Sequence, residues 1–242
     1  METLTNDEYL FHLLDKYKLN DSEKKEILTI IDPIYSHDEF QKRMTDDFPH
    51  HNTVTLGQHI LEVTIMTYIL HKKHNSKTRL DLALKIAMCH DLYTSPWQND
   101  PEGKKDKFFN KSGFRHPIEA AINAITWYPQ IFNSKDDAKI IIDGIVHHMF
   151  PLPVSKFKNS KNNILQLRNF DYIKDLDPQI KKILIKTSNR VSNSKVSFCP
   201  SAYKEGRLIS KADKIVSCHN FKNVNFEGIK SLVTGKNKNL KA

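Results

Sequence analysis

The sequence predicts an all-α protein, a single globular helical bundle, and three observations carry that reading. Apolar residues recur at three- and four-residue steps through much of the chain, as they do on one face of an α-helix. Helix-start chemistry stands ahead of several of those runs. Glycine is scarce, at 7 of 242 residues, which disfavours hairpin-rich β architecture and the Gly-rich loops that cradle phosphates. No stretch shows convincing period-two alternation, the mark of a half-buried strand.

Taken in order, a first helix spans about residues 5–17. Asn20-Asp21-Ser22-Glu23 has the form of a capping box ahead of KKEILTII, with Asn at the N-cap and Glu three residues on. Residues 55–73 put Leu56, Ile60, Val63, Met66 and Leu70 on one stripe. Leu80 to Cys89 is apolar apart from Asp81 and Lys85, as expected of a central, largely buried helix. Pro117 suits a first helical turn and opens IEAAINAITWYPQIF, leaving His116 at the N-cap. Ser134 caps the next helix, with Asp136 and Asp137 in the first turn of AKIIIDGIVHHM. Further helices read at 177–189 and 203–219. Two turn-rich stretches, 94–113 and 149–176, read as long loops of one helical domain, where function often resides. The expected organisation is an N-terminal helical extension over 1–45, packed on a core domain over 46–242.

The formal charge is +9 and the pI about 9.3. The lysines are spread over nearly the whole chain, and the densest basic stretch, Lys156 to Arg168, has only Phe157 as an interleaved aromatic. A nucleic-acid partner is therefore not expected, and a basic surface suits a small anionic substrate equally well. No apolar run reaches the roughly 18 to 20 residues that span a bilayer, and the N-terminus lacks a basic segment followed by an apolar block. Cys89, Cys199 and Cys218 are odd in number and form no Cys-x-x-Cys pair. That argues against a disulfide framework and points to the cytoplasm.

The chemistry lies in where histidines and acids fall on the helical period. His59 has Leu56 three before it and Val63 four after, so it lies on the apolar face of its helix. His90 and Asp91 end the most hydrophobic helix. Asp213, with Ile209 four before and Val216 three after, turns a carboxylate inward. His148 follows Ile141 and Ile145 on an apolar face, whereas His147 points elsewhere. A single inward histidine is more often a core residue than a ligand. Two inward acids with several inward imidazoles call for a shared explanation, because an unpaired buried carboxylate costs several kcal/mol or more. Imidazole nitrogen and carboxylate oxygen are the ligands of hydrolytic Mn, Fe, Ni, Zn or Mg centres, and helical bundles build such sites between facing helices.

The ordered set His59, His90-Asp91 and Asp213 resembles the H…HD…D signature of the HD-domain superfamily of metal-dependent phosphohydrolases, over about residues 50 to 218. HNTVTLGQH (51–59), AMCHDLYTSPW (87–97), FRHPIEAAINA (114–124), HMFPLP (148–153) and KADKIVS (211–217) together resemble a bacterial subgroup of stand-alone HD-domain hydrolases. The resemblance implies a helical HD domain holding one or two divalent ions, in which His116 and His148 supply a second metal or contact substrate phosphate; with two ions, Asp91 is the natural bridging ligand. It implies that a metal-activated water cleaves a phosphoester or phosphoanhydride of a nucleotide-like substrate. Asp91, His116 and Lys214 are then the expected catalytic residues, and Arg115, Lys214 and His51 the expected phosphate contacts. Trp97 stands in the loop after the HD pair, where it could stack on a base or cap the core.

The chain departs from two branches. The Gly-Tyr-Pro motif of cyclic-dinucleotide phosphodiesterases is missing, as is the acid that follows the HD pair in some nucleotidases and alarmone hydrolases. Neither substrate carries over. The expected partner is a small phosphorylated molecule, with no membrane partner and with homo-oligomerisation left open. Rival readings are a catalytically silent HD domain that senses a nucleotide, a helical nucleic-acid binder supported by charge alone, and a plain bundle with core histidines.

Overall fold

The computed structural model describes residues 4–50, 54–73, 77–94, 111–157 and 175–221. Among these, helices dominate as the sequence predicts: α1 (Asn6–Lys16), α2 (Asp21–Tyr35), α3 (Asp38–Arg43), α4 (Leu56–Lys73), α5 (Leu80–Cys89), α6 (Ser112–Trp127), α7 (Lys135–Val146), α8 (Pro178–Ser188) and α9 (Lys204–Phe221). Two small antiparallel pairs accompany them. Strand β1 (Pro49–His50) lies beside β2 (Val54–Thr55), and β3 (Val154–Ser155) beside β4 (Val196–Ser197). Two-residue strands are too short to show alternation, so no period-two pattern marks them.

Local chemistry sets the helix starts. Asn20 accepts from the Glu23 amide at 3.0 Å while Glu23 accepts from the Asn20 amide at 2.9 Å, forming the expected capping box. Thr5 and Glu8 make a second one at α1. Ser134 accepts from the Asp137 amide at 3.1 Å. Helix α5 is capped instead from a distance, since Glu205 on α9 accepts from the Arg79 amide at 2.9 Å. Helix α6 begins at Ser112, five residues before Pro117, so His116 lies within the helix and not at its N-cap. The missing Pro117 N–H costs one hydrogen bond, which burial of the following residues from Ile118 to Ile125 outweighs.

Helices α4 and α5 form the centre. Helix α4 packs against α5 and α9, and α5 packs against α2, α7 and α9. Nearly every side chain of α5 from Leu82 to Cys89 is buried. The first three helices contribute Leu10, Leu13, Leu14, Ile27, Ile31, Ile34 and Phe40 to the same apolar core. No described helix is long and apolar enough to cross a membrane.

Two features hold α9 against α7. Gly144 and Gly206 face each other, and a Cβ on Gly206 would stand 2.7 Å from the Gly144 Cα and inside the Ser201 side chain. Buried Asp143 accepts from Arg190 Nη1 and Ser201 Oγ, both at 2.5 Å, and from the Ala202 amide at 2.8 Å. This ties α7 to the chain entering α9. A Gly206→Ala substitution must push the two helix backbones apart. It is expected to destabilise the protein by about 1–3 kcal/mol, read as a lower urea midpoint at unchanged slope.

Candidate metal centre

Five segments deliver polar side chains to one buried point. His59 comes from the first turn of α4, His90 and Asp91 from the end of α5, His116 from α6, His148 from just beyond α7, and Asp213 from α9. His59 and His90 are fully buried, His148 is 2% exposed and Asp91 5%, which in an apolar core demands compensation.

Asp91 is the hub. Its Oδ1 lies 3.0 Å from His116 Nε2 and 3.3 Å from His148 Nε2. Its Oδ2 lies 3.6 Å from His59 Nε2 and 3.5 Å from His90 Nε2. The carboxylate thus offers one oxygen to each of two imidazole pairs. Asp213 Oδ1 closes the second group at 3.3 Å from His59 Nε2. The nitrogens of His116 and His148 are 3.2 Å apart.

Backbone carbonyls orient two of the rings. His90 Nδ1 donates to the Ala87 carbonyl at 2.6 Å, and His148 Nδ1 to the Ile145 carbonyl at 2.7 Å. A carbonyl only accepts, so each Nδ1 carries the hydrogen and each Nε2 is the atom turned on the carboxylates. Burial pushes the His90 imidazole down to about 4, so the ring is neutral at pH 7 with its Nε2 lone pair facing the centre. Burial opposes ionisation of Asp91, but His90, His116 and His148 outweigh it and hold the carboxyl well below its usual range. Asp213 is held down in the same way by His59, His90 and His148. Burial works against charging His148, yet its bond to Asp91 prevails and raises its pKa.

These groups could hold a metal ion. Three sets, His50–His59–Asp91, His59–His90–Asp213 and Asp91–His116–His148, each bring one atom per residue within 4.8 Å of the others. Ligands about 2.0–2.2 Å from one ion stand roughly 3.0–3.6 Å apart at the corners of a tetrahedron or octahedron. The separations of 3.0 to 3.6 Å around Asp91 match that spacing. Hydrogen bonding alone fits less well. Four imidazole nitrogens compete for two carboxylate oxygens, and His90 Nε2, fully buried, makes no hydrogen bond among the described residues. Such a group costs about 1–3 kcal/mol.

The structure places the remaining candidates unevenly. Lys214 lines the cavity of ≈ 310 Å³ above the cluster, together with His50, Tyr93, Met149 and Leu152. Arg115 does not reach that wall; its Nη2 lies 3.3 Å from Ser112 Oγ. His51 and Trp97 fall outside the described residues. His147 turns away, its Nδ1 3.4 Å from Asp143 Oδ1. Sequence reasoning missed His50, which the β1–β2 pairing brings to a ring-centroid distance of 4.2 Å from His59, its Nδ1 3.2 Å from the Tyr93 hydroxyl. The signal was the His50-His51 pair, from which periodicity cannot choose outside a helix. It missed Arg43 as well. That buried guanidinium donates twice to the Tyr93 carbonyl, at 2.8 and 3.1 Å, between the rings of Trp127 and Phe48. It fixes the turn that follows Asp91.

No family model, curated protein or solved structure matches the chain.

Contact with Asp91 raises the affinity of His148 for a proton, and a cation taking those atoms would compete with that proton. Titrating Mn²⁺ or Zn²⁺ into chelator-treated protein between about pH 6 and 8 is expected to show affinity that rises with pH, and pH-independent affinity would count against this coupling.

Proposed function

We propose that the chain is a metal-dependent phosphohydrolase of the HD type, cleaving a phosphoester or phosphoanhydride of a nucleotide-like substrate. The observation that carries the reading is Asp91, whose two oxygens face two separate sets of imidazoles from different helices. A carboxylate so placed is suited to bridge two cations. His59, His90, Asp213 and Asp91 Oδ2 would hold one ion, and Asp91 Oδ1, His116 and His148 the other. Divalent ions in such a site supply Lewis acidity, which acidifies water and offsets phosphate charge.

The chain's own groups supply the rest. His90 is held neutral by burial and aimed by the Ala87 carbonyl, so it needs no reorganisation to act as a ligand. His116 has a side chain 16% exposed, against 0–2% for His59, His90 and His148. It is therefore the ligand imidazole nearest the substrate side. Lys214 on the cavity wall places a cation where the phosphate oxygens would lie. Tyr93, Met149, Pro151 and Leu152 give that wall apolar surface that limits the water beside the reacting phosphate.

Purified protein is expected to contain near-stoichiometric transition metal by elemental analysis and to release phosphate from members of a nucleotide panel. Asp91→Ala should reduce both metal retention and turnover by more than about 100-fold, the upper end of what indirect partners cost. Metal-free wild-type protein that folds normally and ignores added Mn, Fe or Ni would refute the reading. Full metal loading with nucleotide binding but no turnover would instead identify a catalytically silent sensor.

A further inference from the structure

A second polar cluster surrounds a thiol. Cys199 follows strand β4 and is 8% exposed, between the exposed residues Phe198 and Pro200. Ser197 Oγ lies 3.5 Å from its sulfur and Arg190 Nη2 3.6 Å. Arg190 is itself held in place. Its Nη1 donates to Asp143 Oδ1 at 2.5 Å, and its Nη2 also donates to the Pro200 carbonyl. A guanidinium keeps its charge at any working pH, so a fixed cation stands beside the thiol.

An imidazole completes the surroundings. His147 is 2% exposed, and its Nδ1 donates to the Asp143 carbonyl at 3.0 Å. Nε2, on the other edge of the ring, is buried and makes no hydrogen bond of ordinary geometry among the described residues. The thiol on which this ring acts is Cys199. Asp143, His147 and Cys199 thus follow one another as acid, imidazole and thiol, the sequence of groups that activates a sulfur nucleophile. Burial opposes the thiolate, but His147, Ser197 and Arg190 outweigh it and bring the Cys199 thiol down to about 7.

The other two cysteines serve as references. Cys89 is fully buried in α5, where burial pushes its thiol up, and Cys218 is exposed on α9. Access to Cys199 is narrow. Pro200 and Ser201, the next two residues, line a cavity of ≈ 390 Å³, so a small reagent can come close to the sulfur while a bulky one is kept away.

We propose that Cys199 is an oxidant-sensitive modification site for small hydroperoxides, separate from the metal centre and independent of the hydrolase reading. The sulfur attacks the terminal peroxide oxygen, forming an S–O bond as the O–O bond breaks. Sulfur is oxidised by two electrons and the peroxide is reduced. The departing oxygen takes up the proton that the thiol gave up, so thiol and hydroperoxide become sulfenic acid and water or an alcohol.

The test treats full-length protein with hydrogen peroxide between about pH 6 and 9, then unfolds it in excess dimedone. Peptide mass spectrometry reads the sulfenic acid trapped at each cysteine. At pH 7 about half of Cys199 would be thiolate, roughly fifteenfold more than an ordinary thiol with a pKa near 8.5. Lower intrinsic nucleophilicity reduces that advantage about fivefold. Cys199 is therefore expected to oxidise at least about threefold faster than Cys218 at pH 7, with a rate midpoint near pH 7, while Cys89 stays reduced. His147→Asn and Arg190→Gln should each slow Cys199 and move its midpoint upward, with folding checked by circular dichroism. Ser197→Ala, a milder change, should do the same to a smaller extent and guards against misfolding of the other two. A Cys199 rate no faster than that of Cys218 would overturn the site. So would a Cys199 rate and midpoint that stay unchanged in the folded variants.

Discussion

The organisation of this protein depends on the cost of burying one carboxylate. Asp91 ends the most apolar helix of the chain and is 5% exposed, where an uncompensated charge would cost more than a domain of this size can spare. Compensation has to come from elsewhere in the sequence, because α5 itself supplies only His90. Helices α4 and α6 and the residue just past α7 each deliver an imidazole to the same two oxygens. The packing of α5 against α7 and α9, and of α4 against α5 and α9, follows from that demand as much as from apolar contact. A helix shifted by one turn, about 5.4 Å, would move its imidazole out of reach and leave Asp91 short.

Several polar devices outside the cluster hold these helices in register. Arg43 is buried from the N-terminal helices inward, stacked on Trp127 and bonded to the Tyr93 carbonyl two residues after Asp91. Arg43 thus links the first three helices to the turn that follows Asp91. Asp143 does the corresponding work on the other flank, joining α7 to Arg190, Ser201 and the start of α9. Both are buried charges with several hydrogen bonds, the condition under which such groups specify one arrangement of helices rather than weaken the fold.

Much of this was legible in the sequence because the helices are strongly periodic. The stripe through Leu56, Ile60 and Val63 gave α4 and placed His59 inward; Ile209 and Val216 did the same for Asp213. The adjacency of His90 and Asp91 on an apolar helix marked the hub. What stayed hidden was non-periodic or non-local. His50 lies on a two-residue strand, and only pairing with Val54 brings it beside His59. Arg43 reads in sequence as an ordinary basic residue near a helix end, and its partner is 50 residues away. Pro117 misled because proline is commonest in a first turn, whereas α6 starts five residues ahead of it, at Ser112. Arg115 was drawn in by adjacency to His116, yet one residue on a helix is a rotation of about 100 degrees, enough to take it off the cavity wall.

The charges at the centre explain why it would favour a dication over protons. Helix ends contribute little: α5 and α7 present their negative C-terminal ends nearby, while His59 and His116 lie near the positive starts of α4 and α6. Each end is worth about 0.3–1 kcal/mol, and the two signs largely offset. The balance is set by Asp91 and Asp213, both held ionised, against a His90 that burial keeps neutral. Two negative charges beside the neutral His90 nitrogen suit a divalent cation. Contact with Asp91 raises the affinity of His148 for a proton, so a cation taking the same atoms of Asp91 and His148 would compete with that proton, and any metal binding by the cluster would be coupled to pH by the same contacts that let the fold bury it.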